Sequence, residues 1–182
     1  MNFTELSRFR QSVRKYKSQP VPKEKIEHCV EAARIAPSAC NSQPWSFIIV
    51  DEPALKEKVA KETYSTLVSF NKFTLQAPAI VVLVVEKPKI IAQIGGRIKS
   101  KDYYLFDVGI AAEHFCLQAA EEGLGTCMLG WFNEKAIMKL LNIPKSRSIG
   151  LLITIGYSDE ENIREKKRKS FKDIIYYNEY KG

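Results

Sequence analysis

The chain is short of the residues that most often announce chemistry. Its 182 residues include two histidines and four cysteines. Cys29, Cys40, Cys116 and Cys127 are widely spaced with no C-x-x-C pair, which argues against a disulfide framework and a zinc site. His28 and His114 are candidate metal ligands, but both fall in segments that read as helices and neither has a partner at ligand spacing. A satisfied or exposed helix role is favoured for each. Glycine is sparse, and the absence of a G-x-x-x-x-G-K-S/T loop excludes P-loop nucleotide chemistry. No G-x-S-x-G turn presents a nucleophilic serine. No apolar run approaches the roughly 20 residues of a membrane span. Met1 to Glu5 do not start a secretory signal, so a cytoplasmic location without a membrane partner is expected. No repeat, low-complexity tract or linker appears, and a single domain over residues 1–182 is expected. Acidic residues are outnumbered, 21 against 28 basic, for a net charge of +7. That excess suits nucleic acid or pockets for small anions, and only the placement of the charges separates the two.

What is present reads as alternating helices and strands. Thr4 to Arg10 predicts a short helix. Pro22 suits the first turn of a second, whose apolar Ile26, Cys29, Val30 and Ala33 recur at helical spacing until Pro37 stops it. Ser46 to Val50 reads as a buried strand, and Pro53 opens a helix to about Glu62. Ala79 to Val85 is the clearest strand, β-branched and apolar on both faces. Asp102 is placed to cap a long helix through Glu121 that is apolar nearly all round, which implies burial on more than one side and a subunit interface. Gly125 to Leu129 is a short apolar segment, Glu134 to Leu141 a helix, and Ile149 to Tyr157 a strand. The apolar tail at Ile174 to Tyr177 reads as a terminal strand packing on a partner chain. An α+β layered fold fits this order better than a large doubly wound sheet.

Pro37-Ser38-Ala39-Cys40-Asn41-Ser42-Gln43-Pro44-Trp45 is a stiff polar loop pinned between two apolar segments. Its hydroxyl and amide groups suit a flat ligand with many polar edges. Upstream, Arg10, Ser12 and Arg14 place two cations and a hydroxyl at alternate positions, a set suited to a phosphate. Gly123-Leu124-Gly125 is a weak dinucleotide signal, because the glycines follow a helix instead of a strand; a helix C-terminus is the better reading. The run Arg164 to Lys169 is a solvated face or a nucleic-acid contact, though no aromatic residue interleaves it. Cys40 is a redox-active thiol or, preferably, a small buried filler. Trp131 and Phe132 divide evenly between stacking on a substrate and core packing.

Together these segments resemble the FMN-dependent nitroreductase family over nearly the whole chain. The matching parts, in order, are Arg10-Gln11-Ser12-Val13-Arg14-Lys15-Tyr16, Ala36 to Trp45, Asn71 ahead of Ala77-Pro78, Gly123 to Gly130, and Lys166-Lys167-Arg168-Lys169 before the Ile174 tail. The resemblance implies a central, mainly antiparallel sheet flanked by helices, and a homodimer with FMN at the interface. The C-terminal tail would pack on the partner subunit. Arg10, Ser12, Lys166 and Arg168 would hold the phosphate, Gln11 would join them in the cofactor site, and Arg14 would sit near the N1/C2=O end of the ring. Pro37, Ser38, Ala39, Asn41 and Gln43 would approach from the other subunit, Asn71 would meet the pyrimidine edge, and the backbone of Leu129 and Gly130 would face N5 and O4. No acid-base pair is then required, since the flavin does the chemistry. The implied reaction moves a hydride from NADH or NADPH to a nitroaromatic, quinone or similar small acceptor by a ping-pong route. Reductive dehalogenation and flavin fragmentation are the alternatives on the same fold, and a cofactor-free basic nucleic-acid-binding protein is the alternative from another class. Two departures from the family stand out: Lys72 directly follows Asn71, and the stretch between Val85 and Asp102 is short, implying a small or open substrate pocket.

Overall fold

Strand β2 (Ala79–Val85) explains the layering, because all seven of its residues are buried. Side chains alternate across a strand, so a strand with no polar face needs cover on both sides. In the computed structural model, which describes residues 1–66, 68–87, 101–160, 162–180 and 182, it has that cover. Among the described residues the sheet has four strands in the order β1 (Trp45–Val50), β2, β4 (Ser148–Gly156) and β3 (Gly125–Leu129), all neighbours antiparallel. Ala79, Val81, Leu83 and Val85 join Ile153 and Ile155 on one face, beneath helices α2 (Lys23–Arg34) and α4 (Tyr103–Glu121). Ile80, Val82 and Val84 join Leu152 on the other, against α3 (Pro53–Lys61) and α5 (Glu134–Leu140). Each large side chain so buried contributes about 1.5–3 kcal/mol. Phe115 of α4 is fully buried and stacks on Phe47 of β1 with ring centroids 6.0 Å apart.

Helix ends follow local chemistry. The short α1 (Phe3–Phe9) starts with a reciprocal capping box between Asn2 and Glu5. Helix α3 begins on Glu52, whose carboxylate accepts from the N–H groups of Ala54 and Leu55. Helix α4 ends as expected at its glycine: Gly123 has φ +76, the left-handed conformation that closes a helix. Gly125, two residues on, has a different task. A Cβ there would lie 2.6 Å from Val13, so the chain before α2 approaches β3 closely only because the side chain is missing.

Three expectations are corrected. Asp102 occupies the N-cap of α4 but its side chain caps nothing, with backbone angles unlike a cap. Strand β1 is an edge strand, half-buried over most of its length, because among the described residues no strand covers its outer side. The tail at Ile174 to Tyr177 is not a strand: it follows a short 3₁₀ turn, Phe171–Asp173, and exposes Ile174 and Tyr177. Helix α4 buries one stripe, from Asp107 to Ala120, and leaves Leu105, Phe106 and Ile110 exposed on the other. Most of the short stretch after Val85 lies outside the described residues. Among the described residues, no helix is long and apolar enough to cross a membrane.

Candidate functional site

The site is built along edge strand β3. After α1 the chain runs extended beside that strand: Ser12 bridges Thr126 in parallel, and the Val13 N–H donates to the Thr126 carbonyl at 2.8 Å. Alternation then decides the side chains. Val13 turns inward and is buried; Tyr16, three residues on, is buried as well but lies beyond that alternation. Ser12 and Arg14 turn the other way. The Tyr16 hydroxyl bonds the Val13 carbonyl at 2.8 Å and Thr154 Oγ1 at 2.7 Å, and burial pushes its phenol well above the usual range. It is a fixed strut for the arm, not an acid.

Residues 157–160 and 162–166 return alongside residues 7–17, antiparallel where Ser158 bridges Tyr16. The Lys17 N–H reaches the Tyr157 carbonyl, the Asp159 N–H the Lys15 carbonyl, and the Arg14 N–H the Glu160 carboxylate at 2.9 Å. Farther along, the Arg164 N–H donates to Gln11 Oε1 at 3.0 Å, its Nε to the same oxygen at 3.3 Å, and its Nη2 to the Ser12 carbonyl. Lys166 Nζ donates to the carbonyls of Ser7 and Arg10. Those carbonyls belong to the last turn and cap of α1, which lack helical partners and carry the negative end of its dipole.

This pairing leaves a cavity of about 380 Å³, widely open to solvent, lined by Arg10, Gln11, Ser12, Arg14, Arg164, Glu165, Lys166, Lys167 and Arg168. Six of those side chains are cationic and one is a carboxylate, so the cavity calls for an anion. Burial first, and then the nearby Arg10 and Arg168 cations, hold the Lys166 ammonium below its usual pKa. Arg10 Nε lies 3.2 Å from Glu113 but is not aligned for a hydrogen bond, which leaves it a buried donor without an acceptor.

At the far end of β3, three residues and about 10 Å from Thr126, Asn71 braces the chain. It is buried, and its Nδ2 donates to the carbonyls of Thr63 at 3.2 Å and Trp131 at 3.0 Å. That fixes the backbone just past Leu129 and Gly130 and leaves Oδ1 as the amide's acceptor. Trp131 is exposed, Phe132 packs against the core beside α5, and Lys72 faces outward.

The polar loop is seated separately. Cys40, Asn41 and Gln43 all have positive φ, near +50°, which non-glycine residues rarely adopt. The conformation is held from within: the Gln43 N–H donates to Ser38 Oγ at 2.9 Å, and Gln43 Nε2 to Asn41 Oδ1 at 2.7 Å. It is held from below by buried Asp107 of α4, which accepts from the Ala39 N–H at 3.0 Å. Cys40 is exposed, not a buried filler, because its left-handed backbone turns the side chain off the surface.

Of the residues singled out from sequence, Arg10, Gln11, Ser12, Arg14, Lys166 and Arg168 meet in the cationic cavity. Asn71 joins the Leu129–Gly130 end of β3. Pro37, Ser38, Ala39, Asn41 and Gln43 do not line that cavity within one chain. Three contributors went unread: Arg164, hidden in a charged run; Glu160, which ties Arg14; and Asp107, an acid in an apolar helix. The last carried a usable signal, since an acid within an apolar stripe needs a partner. His28 pairs with Glu122 at 2.8 Å and His114 lies 3.2 Å from the Ala32 carbonyl, both as helix residues. Among the described residues, no group of three His, Cys, Asp or Glu is placed to hold a metal.

A four-stranded antiparallel sheet under paired helices, with the edge strand joining a cationic cavity to a braced backbone, defines an α+β protein of the nitroreductase fold. The chain belongs to the Nitroreductase family, whose model matches residues 8–157. A protein of Archaeoglobus fulgidus assigned by name to the NADH dehydrogenase/NAD(P)H nitroreductases is 30% identical over 172 residues, 92% of each chain. Iodotyrosine deiodinase of Thermotoga neapolitana is 25% identical and covers 97% of each chain. The solved structure of an FMN-dependent nitroreductase from Clostridium difficile R20291 superposes with a TM-score of 0.80 at 28% identity, covering 98% of this chain and all of that one.

Proposed function

We propose that the protein is an FMN-dependent oxidoreductase that draws on NADH or NADPH and reduces nitroaromatics, quinones or similar small acceptors. The cationic cavity beside Ser12 is the observation that carries this reading. Its donors fit a phosphate monoester: a hydroxyl, guanidinium groups able to bind in pairs, and a buried Arg10 Nε without an acceptor. With no Rossmann turn for a pyrophosphate, one phosphate suits FMN and not FAD. When bound, FMN supplies two-electron chemistry at N5. The chain's residues do the rest. Arg10, Ser12, Lys166 and Arg168 hold the phosphate, with Lys166 giving the one N–H that α1 leaves unused. Arg14 stabilises negative charge at the N1 end of the ring. Asn71 Oδ1 would serve the pyrimidine edge of the bound ring, and the backbone at Leu129 and Gly130 would serve its N5 side.

In a homodimer the loop from Pro37 to Gln43 would approach the flavin of the second subunit. A homodimer accounts for exposed Leu105, Phe106 and Ile110 on α4 and the exposed apolar tail. Sedimentation of the FMN-bound protein reports a dimer; a stable FMN-bound monomer contradicts it. Donor and acceptor alternate in one cleft, so kinetics are ping-pong. The cations converge on a cavity instead of spreading over a convex face, which favours a small anion over nucleic acid. A cytoplasmic location goes with the NAD(P)H supply.

Steady-state turnover with NADH and NADPH against nitroaromatics, quinones and iodinated phenols tests the assignment. Parallel double-reciprocal lines with the first two classes support it; no turnover with any acceptor defeats it. The deiodinase relative gives reductive dehalogenation a footing as the second reading, and preferential iodide release would select it.

A further inference from the structure

The arm from Arg10 to Arg14 carries much of the cavity but is paired to the sheet on one side only, through the Ser12–Thr126 bridge and the Val13 N–H. On its other side no strand follows among the described residues. What stands there is Arg164. Its backbone N–H and Nε both reach Gln11 Oε1, its Nη2 reaches the Ser12 carbonyl, and its Nε lies 3.4 Å from Glu160. Glu160 in turn accepts from the Arg14 N–H. Gln11 completes the ring, with Nε2 3.5 Å from the Asn162 carbonyl. The side chains of Gln11, Glu160 and Arg164 thus perform the pairing that a fifth strand would supply.

We propose that Arg164 is a positioning residue for the phosphate cavity, acting through a clasp with Gln11 and Glu160 that fixes the backbone from which Ser12 and Arg14 project. Gln11 serves the clasp and does not touch the cofactor. The inference rests on the FMN reading above. Two features separate Arg164 from the other cations of the cavity. Its charge is answered by Glu160, whose side chain is 17% exposed, whereas Arg168 donates, among the described residues, to its neighbour's carbonyl at 2.8 Å. Its planar fork also serves a side-chain amide, a carboxylate and a main-chain carbonyl together, a geometry an ammonium cannot reproduce.

The test titrates flavin-free protein with FMN and with riboflavin, following flavin fluorescence, for wild type, R164A, R164K, Q11A and Q11A/R164A. Arg164 is exposed and Gln11 half-buried, so these variants are expected to fold, and their thermal midpoints are the check. R164A is expected to weaken FMN binding about tenfold or more while riboflavin changes about twofold at most. R164K restores little, and the double variant binds FMN no worse than R164A, because one clasp is lost only once. The clasp is overturned if the losses of Q11A and R164A multiply in the double variant, if R164A leaves FMN affinity unchanged, or if FMN and riboflavin weaken together with the thermal midpoint. A wild-type protein without affinity for FMN overturns the functional reading and this inference with it; a wild type that binds FMN beside an unaffected R164A overturns the clasp alone.

Discussion

Replacing Arg168 with alanine separates a phosphate site from a merely basic surface. The side chain lines the cavity, is exposed, and spends one donor on the Lys167 carbonyl at 2.8 Å. Most of its guanidinium therefore remains free for an anion. A hydrogen bond to a charged group contributes about 1.5–3 kcal/mol, which corresponds to roughly a 10- to 150-fold change in dissociation constant. Because Arg168 is open to solvent, screening places the expected loss near the lower end, on the order of 10- to 30-fold. The loss should shrink as salt is added. Riboflavin has the same ring and ribityl chain but no phosphate, so its affinity should stay within about twofold of wild type. Fluorescence titration of flavin-free wild type and Arg168→Ala with both ligands, at two salt concentrations, measures this. Equal weakening of FMN and riboflavin would refute the assignment, since Arg168 would then support the fold or the ring.

Lys166 adds a pH dependence. Burial, followed by Arg10 and Arg168, lowers its pKa, so the folded chain holds this proton less tightly than the unfolded one. Its contribution to stability therefore rises with pH between the lowered and the ordinary lysine value. FMN affinity should fall over that same alkaline window, as the ammonium that meets the phosphate is lost, and Lys166→Met should abolish the slope; an unchanged slope speaks against the contact. Gly125→Ala forces a Cβ to within 2.6 Å of Val13 and should cost about 1–3 kcal/mol in denaturant unfolding while also weakening FMN. A neutral substitution would show that the arm is not held against β3. Cys29 and Cys116 are pushed up to about 12 by burial, and Cys127 is raised for the same reason. With Ellman's reagent these three should stay silent until the protein unfolds, whereas exposed Cys40 reacts in the folded flavin-free protein; a second fast thiol would contradict the packing.

Much of the fold was legible because periodicity reports burial directly. The apolar run of β2 and the spacing of Ile26, Cys29 and Ala33 in α2 fixed both elements within a residue or two. Edge position was not legible: Ser46 to Val50 is as apolar as a central strand, and only the strand order shows its open side. The cap at Asp102 failed because side-chain capping depends on backbone angles that residue type does not set. In the site, Arg10, Ser12 and Arg14 were readable through their alternation beside inward Val13. Arg164 was not, since its role comes from Gln11 and Glu160, and the Gln11 contact joins residues 153 positions apart. Cys40 was misread because a left-handed conformation on a non-glycine residue leaves no mark in sequence.

The central claim is that the cavity formed by Arg10, Ser12, Lys166 and Arg168 holds one phosphate of one flavin. The most direct measurement is to purify the protein from a flavin-replete source, record its absorbance, release any bound chromophore by heat and identify it by chromatography. The account predicts a yellow protein that releases FMN, about one per chain, with Arg168→Ala prepared alongside it retaining distinctly less. A colourless protein, or one that releases FAD, would contradict it.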